Sequence, residues 1–565
     1  MVKTNISPGV YTTLTDLSDY VRKVPTSIGF IPIVCKKGRD NELIATNARD
    51  FFLEFGEPDL YYPAANPEAY RYGHYVASSF LTESDSLFVI RCTAEDASFA
   101  NLMWDATTFS YNSVVDVTTT KKIETELQRD DDSFMSFMIY AVGRGEYYNN
   151  FKLKVEAFAN TGADSTYNSD LYIISIYKKL NESLTDLNVD VISDSTGLDK
   201  SLVTQVNEEY AITESFKVSF KRDRLDYSGS SLWIEDVINN NSRYFRCKVN
   251  STFDFSNLNA DKLQTLYGSV TTSIVFGSGS DGTPDYTKLL SKAYLGLLKK
   301  NVDDGSHVLD EVLNTDDFYF SMVFDAGYPQ EVKYAIESLV SRRKDCLGII
   351  DNGDNYTATA AVTQKIGYGF NNKYLAIYEP YTKVYDAFTG RYIWVPPSYH
   401  LAKLFPALKK EWLGPAGFEH GIVTGVKESR YNPSPSQRDD MYLNQINPIV
   451  RFNEGYAVYS QLTTQARTTA FQDVNIMRVY LYIKRALEQF CKWYVFSLND
   501  EETWSRINQK VSAFLAQIKN GGGLYSYSVT VGADDYQKKS KEVHVNVTLE
   551  PVRLAEKIYL NFFIK

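Results

Sequence analysis

A glycine-rich run, Gly277-Ser278-Gly279-Ser280-Asp281-Gly282, is the stretch of this sequence that most invites a chemical reading. A phosphate cradle needs a lysine and a Ser or Thr opening the following helix, so that backbone donors and a cation meet the phosphates together. Here the run continues Thr283-Pro284-Asp285. Proline removes a donor and aspartate adds the wrong charge, so the run reads as a flexible surface turn capping the next helix. The five histidines, His74, His307, His400, His420 and His544, include no His-Glu-x-x-His and no close pair, which leaves zinc without a ligand spacing. Carboxylates stand side by side at Asp303-Asp304, Asp316-Asp317 and Asp439-Asp440. Adjacent acids in loops are ordinarily solvated charge, not a pair held across a sugar. Cys346 lies in an apolar run without a neighbouring base, and no Gly-x-Ser-x-Gly elbow occurs. These residues predict no catalytic group, no metal and no cofactor.

Composition narrows the class further. A chain of 565 residues is too long for one core, and several domains are expected. A net charge of −11 lacks the basic footprint of a nucleic-acid binder. No run approaches the roughly 20 apolar residues of a membrane span, and no signal-peptide core follows Met1. The cysteines, Cys35, Cys92, Cys247, Cys346 and Cys491, are scattered and read as reduced thiols. Aromatic residues make up 14% of the chain, 42 of them tyrosine. Tyrosine offers contact area at low entropic cost, so extensive contacts with other chains are expected. An aromatic-rich core would leave the same trace.

The elements follow from periodicity. Residues 1–24 carry no helical period and read as an extended arm. Ser27–Val34 and Ser86–Cys92 alternate or run apolar like strands, with helices at Ala48–Phe55 and after Asn66-Pro67, the latter burying Tyr70, His74, Ala77 and Leu81. From about residue 105 to 227 Thr, Asn and Asp rise, Arg129-Asp130-Asp131-Asp132 looks like a solvated linker, and strands are expected at Phe151–Phe158, Leu171–Lys178 and Ser215–Phe220. The α/β texture returns at Ser231–Val249. Phe318–Asp325, Pro329–Arg343 and Cys346–Asp351 make a strand–helix–strand with continuous apolar strands, as in a covered parallel sheet. A strand at Tyr374–Tyr378 and a helix near Tyr399–Phe405 follow, and Arg430–Arg438 reads as a link.

The C-terminal stretch is the clearest. Ile476, Val479, Ile483, Leu487, Phe490 and Tyr494 recur along one face of a helix over Val474–Phe496. Asn499 is expected to cap a second helix carrying Trp504, Ile507, Val511, Phe514, Leu515 and Ile518, stopped by Gly521-Gly522-Gly523. Strands are then expected at Leu524–Val531, Val543–Leu549 and Lys557–Ile564. A β-prone strand at a chain end completes its own sheet or adds to another's.

The order of short motifs resembles a family. Ser7-Pro8-Gly9-Val10-Tyr11, Gly29-Phe30, Lys36-Lys37-Gly38, Gly143-Arg144-Gly145 and Trp233-Ile234-Glu235-Asp236 lead in. Arg342-Arg343-Lys344-Asp345, Ile350-Asp351, Tyr378-Glu379-Pro380-Tyr381, Val395-Pro396-Pro397-Ser398 and Trp412-Leu413-Gly414-Pro415 carry the middle. Leu443-Asn444-Gln445-Ile446-Asn447, Asn475-Ile476-Met477-Arg478 and Phe496-Ser497-Leu498-Asn499-Asp500 close it. Together they resemble the tail sheath proteins of contractile-tailed bacteriophages, related to the sheaths of R-type pyocins and, more distantly, of type VI secretion systems. Two departures stand out: Tyr459-Ser460-Gln461-Leu462-Thr463 replaces a Trp-Gly-Xaa-Arg-Thr pattern, and His400 and its neighbours lack the glycine usual after Pro-Pro-Ser.

The resemblance implies an α/β (α+β) multidomain fold. Residues 1–24 would be an N-terminal linking arm, 25–104 and 228–429 a middle α/β domain, and 105–227 a mostly β outer insertion. Residues 430–553 would be an inner C-terminal domain, and 554–565 a C-terminal arm. It implies a structural subunit that forms hexameric rings around a tail tube and contracts to drive the tube through a host envelope for genome ejection. Partners would be further copies of the chain, the tube protein, and baseplate and tail terminator proteins, with no direct nucleic acid and no membrane insertion. The location would be the virion, with assembly in the host cytoplasm. Arm residues Val10, Tyr11, Leu17, Tyr20, Ile558, Leu560, Phe562 and Ile564 would join subunits. Arg506, Gln509, Lys510 and Gln517 on the second C-terminal helix would face the tube, although the same face also reads as solvated. The rival class is a virion-associated enzyme or a carbohydrate-binding fibre.

Overall fold

The computed structural model describes residues 27–556 and 559, apart from 64–65, 105–110, 129–135, 158–170, 180–209, 254–273 and 301–307. The expected arms, the strand at Lys557–Ile564 and the linker at Arg129–Asp132 therefore lie outside the described residues.

A nine-stranded sheet organises the body. Its order runs Ile422–Val423, Gly455–Val458, Ile446–Phe452, Leu375–Glu379, Leu347–Asp351, Met322–Phe324, Gly29–Ile33, Leu87–Arg91 and Ile44–Thr46. The six strands from Ile446–Phe452 to Leu87–Arg91 are parallel, and antiparallel strands finish both edges. Gly29–Ile33, Leu347–Asp351 and Leu375–Glu379 are buried along their whole length. That is the consequence of helices covering both faces, which makes a parallel strand read as an unbroken apolar run. Helices Tyr72–Phe80, Tyr286–Leu295, Gln330–Arg343 and Pro397–Ala407 contribute buried side chains to the same core. His74 belongs to it, 4.7 Å from the ring of Phe51, and burial drives its pKa down to about 4. It is a neutral core histidine.

Two four-stranded antiparallel sheets face each other beside this body. One is ordered Phe245–Val249, Phe137–Ala141, Asn101–Trp104 and Tyr111–Asn112; the other Ile274–Val275, Phe151–Ala157, Leu171–Lys179 and Tyr210–Ser219. Phe137 and Ile139 of the first meet Leu153, Ile174 and Ile176 of the second, with Ile234, Val237 and Ile238 of helix Ile234–Asn241 added. Ser231–Val249, read from the sequence as a return to the α/β body, packs into this β module, because Phe245 and Cys247 face its core.

The C-terminal unit has two helices, Val474–Lys492 and Glu501–Asn520, under a hairpin of Leu524–Gly532 and His544–Pro551. The first helix serves two cores. Val474, Met477 and Leu481 are buried in the body, while Val479, Ile483, Ala486 and Phe490 are buried against the second helix. This first helix ends at Lys492, short of the expected Phe496. The cap of the second is Asp500, which accepts the Thr503 amide at 2.9 Å. Asn499 instead accepts from the Trp504 indole at 2.8 Å and donates to the Glu542 carbonyl. Arg430–Arg438 is a link only to Asn432, since Ser434 and Gln437 form a capping box that starts helix Pro435–Leu443. Asn66 occupies a left-handed position and makes no side-chain cap.

Candidate assembly site

The residues that looked chemical are spent on structure. In the glycine-rich run, the Gly279 amide donates to Asn149 Oδ1 and its carbonyl accepts Asn149 Nδ2. Asp281 accepts the Glu146 amide and the Tyr62 hydroxyl. A Cβ at Gly279 would stand 2.5 Å from the Gly145 carbonyl oxygen. The run is a packed seam between body and β module, with the amides of Gly277, Gly279, Ser280 and Gly282 already used, and not the flexible surface turn read from the sequence. Asp285 does cap the next helix. The same seam holds a buried ion pair, Arg144–Asp40 at 2.6 Å, and the fully buried Arg91, which donates to the carbonyls of Cys35, Lys36, Gly38 and Arg144.

Acids also converge where an open α/β sheet ordinarily binds its ligand, at the carboxyl ends of parallel strands. Asp325, Asp351 and Glu379 end three neighbouring strands, and all are fully buried. Lys333 of helix Gln330–Arg343 binds Asp325. Ser398 at the start of helix Pro397–Ala407 gives Asp351 its amide at 2.7 Å and its hydroxyl at 2.6 Å, and the Gly327 amide donates at 2.8 Å. Burial, then the charge of Asp325, pushes Asp351 up to about 7, and burial drives Glu379 well above the carboxylate range. Asp325 and Asp351 thus tie their strand ends to helices Gln330–Arg343 and Pro397–Ala407, while Glu379 is buried with Asn355 at 3.5 Å. Sequence reasoning missed the cluster, since an intervening helix separates each acid from the next along the chain.

The surface fit for assembly lies on the C-terminal unit. The hairpin alternates: Val545, Val547 and Leu549 are half-buried, while His544, Asn546, Thr548 and Glu550 are exposed. Val529 pairs with Val547, and Tyr527 with Leu549. Among the described residues, His544–Pro551 pairs with one strand only, so one of its edges carries unused amides and carbonyls. Beside that strand runs a groove of about 390 Å³, floored by Ile483, Leu487 and Cys491 of the long helix and walled by Val545, Val547 and Leu549. An open β-edge over an apolar floor is what an added strand requires.

Arg506, Gln509 and Gln517 lie on the exposed face of the second helix; Lys510 is half-buried, its ammonium 5.8 Å from the Phe490 ring centre. Arg506 makes a solvent-exposed pair with Glu502 at 3.8 Å. Between the helices, Trp493, Val495, Phe496 and Leu498 are all exposed, Phe496 completely and with φ +71. Extending the helical period through Phe496 had hidden this ledge.

The chain's signature motifs gather around the joint with the body. The Trp412 carbonyl accepts Asn475 Nδ2 and the Leu413 carbonyl accepts Arg478 Nη1. The Trp412 ring packs on Gly523, where a Cβ would lie 3.0 Å away, and Gly414 leaves room for Leu554. Residues 466–565 match the phage tail sheath C-terminal domain, and the α/β fold as a whole is shared with sheath tail proteins. The sheath tail protein of Listeria innocua shares the fold over 95% of this chain and 94% of its own, with a TM-score of 0.55 at 12% identity. That of Desulfitobacterium hafniense does so over 97% and 100%, with a TM-score of 0.50 at 10% identity.

Among particular relatives, the tail sheath protein of Vibrio phage KVP40 is 25% identical over 399 residues, 64% of this chain and 54% of its own length. The tail sheath protein of Enterobacteria phage T4 is 24% identical over 379 residues, 63% of this chain and 55% of its own. The chain thus spans about half the length of the curated relatives it matches. Its resemblance to tail sheath proteins is carried by sequence and by fold.

Proposed function

We propose that this protein is a structural subunit of a contractile tail sheath, polymerising in rings around a tail tube and contracting without catalysis. The observation that carries the reading is the open edge of His544–Pro551 above the apolar groove. Residues 1–24 and 554–565, each reaching from another copy, would supply the missing strands. Val10, Tyr11, Leu17 and Tyr20 on one arm, and Ile558, Leu560, Phe562 and Ile564 on the other, are the apolar anchors. Backbone pairing suits the task, since it is strong and tolerant of sequence. The division into a middle domain (25–104 and 228–429), an outer one (105–227) and an inner one (430–553) belongs to the same proposal, with its bounds moved to the packing: Asn101–Trp104, Ser231–Val249 and Ile274–Val275 go with the outer module, and Ile446–Phe452 and Gly455–Val458 with the body. So does a tube-facing role for Arg506, Gln509, Lys510 and Gln517, a location in the virion, and contacts with baseplate and terminator proteins.

Contraction in this scheme releases a kinetically trapped assembly. Some 500 Å² of extra apolar burial per subunit would supply roughly 12 kcal/mol before ordering costs, so no nucleotide is needed. Negative-stain microscopy of the purified protein tests the reading. Striated hollow tubes are expected, lost on deletion of residues 1–20 or of 554–565. A stable monomer, or tubes indifferent to both deletions, would overturn it.

A further inference from the structure

We propose that a basic groove on the body receives the acidic face around helix Pro435–Leu443 of a second copy of this chain. The inference rests on the polymerising role above and adds a contact distinct from the arms. The groove, about 800 Å³, lies between the end of helix Gln330–Arg343, the start of strand Leu375–Glu379 and residues 465–471. Lys344, Lys373 and Arg467 line it, and none has a carboxylate within ion-pairing distance among the described residues. Lys344 and Arg467 are exposed. Lys373 is held with its ammonium 4.3 Å from the ring centre of Phe471 and 5.3 Å from that of Tyr374, which fixes the cation without neutralising it. One acid, Glu337, also stands on the wall, its pKa raised by burial against the lowering effect of a hydrogen bond from Asn372. Three such cations in one groove stand out on a chain of net charge −11.

The complement lies elsewhere on the same chain. Asp439 and Asp440 are exposed on helix Pro435–Leu443, with no cation at ion-pairing distance among the described residues. Tyr442 of that helix donates to Glu556 at 2.7 Å, and Asp473 feels the same Glu556 charge. Arg553 is the cation that opposes them at Asp473. Asp439 and Asp440 on one face, and Lys344, Lys373 and Arg467 on the other, have no ion-pair partner among the described residues, so the two faces can meet head to tail, the heterologous geometry that propagates a helix. Complementary potentials would set the orientation and speed of that docking.

Charge exchange in the full-length protein tests the contact. The proteins compared are the wild type, Lys344→Glu with Arg467→Glu, Asp439→Lys with Asp440→Lys, and a combined variant carrying all the changes. All these positions are exposed, and circular dichroism checks that each variant folds. Each reversed pair should raise the concentration needed for sedimentable polymer by about tenfold or more. The combined variant, in which groove and helix have exchanged sign, should return toward the wild type. Single reversals without effect overturn the contact. So does a combined variant no better than its parents, because the groove then meets something else. If the wild type forms no polymer, the sheath reading fails by itself. The contact is then judged by concentration-dependent self-association in sedimentation velocity, where indistinguishable profiles overturn it.

Discussion

Asp351 carries three donated hydrogen bonds and no exposure, yet burial and the neighbouring Asp325 hold its pKa at about 7. An unfolded aspartate titrates near 4. Between those values the native state keeps a proton that the unfolded chain releases, so this carboxyl's contribution to stability falls as pH rises through the window. The slope approaches about 1.4 kcal/mol per pH unit for one full proton. Urea unfolding at pH 5.5 and 6.5 should show a smaller loss in Asp351→Asn than in the wild type. A slope unchanged by the substitution would mean that the pair's proton does not reside on Asp351. That this carboxyl braces the sheet was not readable from the chain. Ile350-Asp351 and Pro396-Pro397-Ser398 stood out as words in order, but their meeting depends on a parallel sheet that brings distant strand ends together. The hairpin face at Val545, Val547 and Leu549 was readable, because a period of two survives any tertiary arrangement.

At the scale of elements, the seam between body and β module is set by buried charge. Replacing Arg144 by Met would remove the ion pair from buried Asp40 while leaving the Thr93 hydroxyl, the residue-144 amide and the nearby Arg91 charge, so the loss should fall toward the low end of the roughly 3–5 kcal/mol that breaking a buried pair costs. Thermal unfolding should reveal that loss, and limited proteolysis should cut first around Ser98–Asn101 and Gly277–Ser280, the bridged segments beside the seam. Elements with strong apolar signals were legible: Leu347–Asp351 as a covered strand, and Val474–Lys492 as an amphipathic helix. Helix Ala358–Tyr368 was not, since its buried face is Ala358, Ala361, Lys365 and Tyr368, which gives almost no hydrophobic period. The three-stranded sheet of Arg391–Val395, Thr382–Asp386 and Val426–Ser429 escaped for a related reason. Its strands are short, and several of their positions are polar and exposed. The cap at Asp500 was misplaced by one residue because Asn499 is equally able to cap, and only the Trp504 indole beside Asn499 decides between them.

On the scale of the whole molecule, body and C-terminal unit are joined by a helix that neither owns. Val474, Met477 and Leu481 are locked in one core, and Val479, Ile483, Ala486 and Phe490 in the other. Opening either core would break the helix's packing on that side. Hydrogen exchange should therefore show amides from about Met477 to Ala486 exchanging together and among the slowest in the chain; fast, independent exchange in the second half would refute the coupling. The consequence is mechanical. A helix fixed at both ends behaves as a drive shaft, with no swivel between the parts it links. In the assembly proposed above, torque on the C-terminal unit from a neighbouring copy would pass to the body through this helix, and the links between copies are expected to yield before the joint within each copy.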